Sequence, residues 1–217
     1  MTEEVWLACG NPETLIQSLP SHATVPSHAS VRKGRLLIAA CCRRLASLLP
    51  TETQALRDDL LGTMESRVDD PLPEDWTDVI WGDYDLARSV DGVAGCNELV
   101  DCYMMLINTG LAGGLMTAAM YAKDNGAQDE SAQQTNLVRC IFGNPFRPAT
   151  LDPSWRTETV VALARGIYDD RAFDRLPILA DALQDAGCDS DDILSHCRDA
   201  GPHARGCWVV DLVLGKV

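Results

Sequence analysis

The sequence predicts an all-α fold, a compact multi-helix bundle of one domain, and three observations point there. Apolar residues recur at spacings of three and four through most of the chain, while the period-two alternation of half-buried strands is missing. An uncharged run, 102–122, has the character of a central helix that is apolar all round. Apolar residues make up 46% of the 217 positions but aromatics only 6%, so the core must be built from Leu, Ala, Val and Ile. A chain of this length buries about 70% of its unfolded surface and needs neither metal nor disulfide to fold.

The first strong helix lies in SVRKGRLLIAACCRRLASLL, where Leu36, Leu37, Ala40, Cys41, Leu45 and Leu48 share one face behind Ser30 as N-cap. Its cations Arg32, Lys33, Arg35, Arg43 and Arg44 are expected around the edges as a solvated flank. Pro50 separates this helix from TETQALRDDLLGTMESRV, whose stripe is Leu56, Leu60 and Met64. At 69–84 two prolines and six acids surround Trp76 and Trp81, a boundary loop that opens a possible variable insert over 69–134.

The run 102–122 is long enough to cross a bilayer. Its Asn108, Thr109 and three glycines weaken transfer into lipid, and its flanks carry little orientation signal, so a buried soluble helix is favoured and membrane association is unlikely. Beyond a polar connector, TNLVRCIF reads as a helix that breaks at Gly143, Asn144 and Pro145. The proline-containing loop 142–153 should be ordered, with Phe142 and Phe146 plugging the core.

A helix restarts behind Asp152 or Ser154 with Val160, Val161, Leu163, Ala164 and Ile167 inside. Pro177 belongs to the first turn of the next helix, 176–186, which Gly187 stops. DSDDILSHCR, capped by Asp189 or Ser190, points Ile193, Leu194 and Cys197 inward. GCWVVDLVLGK ends the pattern as a helix or, from its valines, a strand.

Charge and cysteines restrict the function. The net charge is −14, from 32 acids against 18 bases, with no long basic block, so counterion release along a nucleic acid is unsupported and nucleic-acid partners are unlikely. MTEEVWLACG lacks the basic start and apolar run of a secretory signal. With an odd count of nine cysteines, reduced thiols in a cytoplasm are the expectation.

Three chemistries deserve weighing. SHCRDAGPHARGCW places His196, Cys197, His203 and Cys207 together, and Cys188 precedes them. A set of Cys188, Cys197, His203 and Cys207 would suit tetrahedral zinc, although no close-spaced cysteine knuckle starts it. Cys42, beside Arg43 and Arg44, is expected to be the more exposed thiol of the Cys41–Cys42 pair and a candidate nucleophile. Glu98 and Asp101, with Glu65 and Asp69 or Asp58 and Asp59, could form a magnesium site of the kind found in helical nucleotide pyrophosphatases. Arg147, Arg171 and Arg175 are expected to pair with Asp169, Asp170 and Asp174 and so hold the loop to the helices.

The N-terminal MTEEVWLACGNPETLIQSL with LLIAACCRRLASLL, and the C-terminal IFGNPFRP through GPHARGCWVVDLVLGK, resemble a set of uncharacterised proteins typical of planctomycete bacteria. The two blocks cover more than half of the chain, and the middle, 72–134, departs from the family's alanine-rich segment. The resemblance implies a bacterial, intracellular protein and assigns no activity.

The reading favoured is a non-enzymatic, cytoplasmic interaction or adaptor module with no cofactor. It would bind a protein partner through its acidic surface, with Trp76 and Trp81 as anchors. The alternatives are a zinc- or thiol-dependent enzyme, or a zinc-stabilised protein, centred on His196, Cys197, His203 and Cys207, and the magnesium enzyme.

Overall fold

The computed structural model describes residues 1–19, 28–46, 54–66, 68 and 129–216. Trp76, Trp81, Asp69, Glu98, Asp101 and the run 102–122 lie outside the described residues. Within them the fold is all-helical, with nine α-helices and no strand among the described residues.

Two short helices that the periodicity did not announce come first. α1 (Glu3–Ala8) is capped by Thr2, whose hydroxyl accepts from the Val5 amide, and α2 (Pro12–Gln17) by Asn11, which accepts from Thr14. α3 (His28–Ala46) and α4 (Gln54–Ser66) pack on each other, and α3 also packs on α5 (Glu130–Phe142). The C-terminal half is α6 (Glu158–Asp170), α7 (Leu176–Asp185), α8 (Asp191–Arg198) and α9 (Trp208–Leu214). α9 is a helix rather than a strand, because its Val209, Val210 and Val213 recur at helical spacing against α6.

Several boundaries follow the sequence signals closely. Pro177 sits in the first turn of α7, and Ser190 precedes α8. The start of α6 is shifted, because Thr157 caps it while Asp152 caps a separate 3₁₀ turn at Pro153–Trp155.

Two apolar cores result, and α5 lies between them. Its Leu137, Val138 and Ile141 join Trp6, Leu15, Ile16, Leu36 and Leu37 in one core. Its Cys140 joins Val160, Ile167, Leu179, Leu183, Ile193 and Val210 in the other. Burying side chains such as these contributes about 1.5–3 kcal/mol each, as an upper bound before chain entropy is counted.

α3 is more deeply enclosed than a one-faced helix. Leu36 through Cys42 are all buried in succession, so Cys42, expected to be the exposed thiol, is as buried as Cys41. The flanking cations are likewise not a solvated face. Arg32 is buried and donates from Nη1 and Nη2 to both Asp211 oxygens, at 2.6 and 3.2 Å, and from Nη2 to the Tyr168 hydroxyl at 3.1 Å. Arg43 reaches Glu65, and Arg44 grips Glu130 from Nε and Nη2. Phe146, expected as a plug, is half-exposed and meets Trp6 edge-on at 6.5 Å between ring centres.

Arg171 and Arg147 also pair with acids other than the expected aspartates. Arg171 binds Glu65 and Arg147 binds Glu3 at 2.6 Å, in each case joining elements far apart in the chain. No helix among the described residues is long and apolar enough to cross a membrane.

Candidate metal centre

Four side chains converge where α5, α8 and the loop before α9 meet. Cys140, His196, His203 and Cys207 each offer one donor atom, and these atoms all lie within 4.8 Å of one another. His203 Nδ1 stands 3.5 Å from Cys140 Sγ, and His196 Nε2 stands 3.3 Å from Cys207 Sγ. In a tetrahedron with zinc–ligand bonds of 2.0–2.3 Å, neighbouring donors lie about 3.3–3.8 Å apart, so the group is already near that spacing.

Each donor is placed by its local structure. Cys140 falls on the face of α5 that turns towards the C-terminal core. α5 ends after Phe142 at Gly143, whose φ of +71° is open to glycine, and a Cβ there would stand 3.3 Å from the Trp208 ring. His196 occupies the last turn of α8, with its ring against Trp208 and edge-on to His203.

The loop that carries His203 and Cys207 presses on α3 at Gly206. With φ +92°, a Cβ at this position would lie 2.7 Å from Leu36 Cδ1, so only glycine lets the backbone approach α3 and aim Cys207 at Cys140. His203 Nε2 lies 3.1 Å from the Asp199 carbonyl oxygen, to which it can donate when Nδ1 faces the other three donors. A carbonyl behind the imidazole fixes both tautomer and ring orientation, the arrangement usual behind metal-bound histidines.

The electrostatics of the group favour a thiolate. Burial alone would raise Cys207, but the thiol of Cys140 and the imidazoles of His196 and His203 all bond to it, and together they hold it well below the usual thiol range. Cys140 is raised correspondingly, first by its hydrogen bond to Cys207 and then by burial. Burial, the largest single influence, would lower His203, but the bond to Cys207 and its charge, together with the Asp199 carbonyl and carboxylate, outweigh it and leave this imidazole above its ordinary value.

Of the zinc set drawn from the sequence, His203 and Cys207 are therefore brought together although no close-spaced knuckle marks them, while Cys140 and His196 stand where Cys188 and Cys197 were expected. Cys188 and Cys197 are buried in the C-terminal core, and burial holds the Cys197 thiol far above its usual range. Nothing in the sequence pattern marked Cys140, which looked like one more helical core cysteine. Of the magnesium candidates, Glu65 is gripped by arginines and Asp58 is exposed, while Glu98, Asp101 and Asp69 lie outside the described residues. The histidines line two separate cavities, His196 one of about 1060 Å³ and His203 one of about 350 Å³.

Comparison with protein-family models, with curated proteins and with solved structures finds no match.

Proposed function

We propose that the protein is a non-catalytic helical module stapled by one structural zinc ion, held by Cys140, His196, His203 and Cys207. The observation that carries this reading is the mutual approach of the four donor atoms to within 4.8 Å. Two sulfurs and two imidazole nitrogens form a donor set that zinc prefers, and two thiolates balance its charge, which matters where Cys140 and Cys207 are buried. Four protein ligands fill a tetrahedral shell and leave no open position for a water or substrate, which favours a structural role over a catalytic one.

On this reading the ion ties α5 to α8 and the loop before α9, and the module presents a surface of net charge −14 to a protein partner in a reducing compartment. Trp76 and Trp81 remain its proposed contact residues.

Protein purified without chelator should carry one zinc ion per chain by elemental analysis. Since a structural zinc contributes several kcal/mol to folding, a strong chelator should lower Tm by roughly 10–20 °C. Substoichiometric metal after reconstitution, together with a Tm indifferent to chelator, would overturn the proposal.

A further inference from the structure

A second cluster surrounds Glu65 near the C-terminal end of α4. Arg43 of α3 donates from Nε to Glu65 Oε1 at 2.6 Å. Arg171, which caps α6 in the left-handed region at φ +53°, donates from Nε to Oε2 at 2.7 Å and makes a closer contact to the same oxygen from Nη2. Arg205 holds Nη1 3.7 Å from Oε2, beyond hydrogen-bond distance, while its Nε and Nη2 donate to the Tyr168 carbonyl. The three guanidiniums thus come from three separate elements.

The donors and charges here exceed what Glu65 can use. A carboxylate offers about four lone-pair sites, whereas three guanidiniums carry about fifteen N–H groups. After the single charge of Glu65 two positive charges remain, and the exposed Asp58, 3.6 Å from Arg43, offsets them only in part. Arg44, bound to Glu130, adds a matched pair beside them. Arg205 is only 14% exposed, and its Nε and Nη2 are turned to the backbone of α6. This excess occurs in a chain of net charge −14, and it faces the cavity of about 350 Å³, whose wall includes Arg43, Arg44, Glu65, Arg171, His203 and Arg205.

We infer that this cavity is a binding site for a phosphate dianion, either free or as the terminal group of a monoester. Guanidinium forks match tetrahedral oxyanions bidentately, and a doubly charged anion neutralises the positive charge that Glu65 and the exposed Asp58 leave over. Glu65 itself orders the forks by holding Arg43 and Arg171 in place before the anion arrives. The site shares the wall residue His203 with the metal centre but uses none of its four donor atoms, so it stands or falls separately from the zinc reading.

The test is calorimetric titration of the full chain with orthophosphate and, in parallel, with glycerol 2-phosphate, at low and at physiological ionic strength. Saturable one-site binding is expected. The lower of the two dissociation constants tells the free anion from the monoester. Because hydrogen bonds between charged groups are worth more than neutral ones, Arg205→Gln should weaken binding about tenfold. Arg147→Gln, which removes a cation lining the other cavity, should leave it unchanged. Should Arg205→Gln fail to fold, phosphate should still protect Arg43, Arg171 and Arg205 of the native chain from phenylglyoxal, and leave Arg147 reactive. Absence of saturable binding for both anions, equal weakening by Arg147→Gln, or absence of that protection would each overturn the inference.

Discussion

Cys140 has Arg139 and Ile141 as neighbours, and the three side chains serve three different parts of the molecule. Arg139 turns to α1, Ile141 enters the N-terminal core, and Cys140 meets His203 and Cys207. Replacing Cys140 with alanine should therefore remove the bound zinc and lower Tm as chelator does. Cys188→Ala, a truncation of a buried thiol outside the group, should keep the metal and cost only about 1–2 kcal/mol. Equal zinc loss in both variants, by elemental analysis, would mean that the ligand set is misassigned. His203 and Cys207 were legible in the sequence because they lie four residues apart in one loop. Cys140 was not, since no periodicity reveals that a residue on α5 faces a loop more than sixty residues later. Cys197 attracted attention by adjacency to His196, yet helix phase sends consecutive side chains about 100° apart, and only His196 reaches the group.

Among the elements, α1 shows how a helix too short to persist alone is held. Six residues cannot repay helix nucleation, so its order must come from tertiary contacts. Arg139 Nη2 supplies one by donating to the carbonyls of Trp6, Leu7 and Cys9 at 2.6–3.0 Å, thereby satisfying the open C-terminal end of α1. Arg139→Ala should free this end. Hydrogen exchange over 1–9 should accelerate at least tenfold, with zinc content unchanged, and an unaltered exchange pattern would show that the Trp6 ring and the Glu3 contacts suffice to anchor α1. Such docking left no trace in the periodicity, which is why α1 and α2 went unannounced. α7 and α8 were legible because Pro177, Gly187 and the acids before Ile193 are local signals that act within one turn. The face of α3 was not, because the acids that bury its arginines, Glu65, Glu130 and Asp211, arrive from other elements.

For the molecule as a whole, the Arg32–Asp211 pair joins α3 to α9 with both partners almost fully enclosed. Breaking such a pair strands a charge in a place it cannot be hydrated. Arg32→Met should cost about 3–5 kcal/mol in urea unfolding, and pairing it with Asp211→Leu should recover most of that loss. A single-variant cost under about 1 kcal/mol would show that water reaches Asp211 once Arg32 is gone. The all-α class was legible because helical spacing is written into most of the segments from α3 onward. The association of those segments depends on ion pairs between residues that no window of the sequence contains together.

That same pair spans 179 positions of chain, and Arg139 reaches Trp6 across 133. Helical proteins whose contacts are mostly local fold within microseconds to milliseconds, because each turn forms without a long search. Here the helices can form early, but closing α3 onto α9 requires bringing remote parts of the chain together at an entropic cost that local structure does not offset. The rate of folding is then set by this closure, and a protein whose described residues form helices and no strand should fold at the slower pace of one rich in non-local pairings.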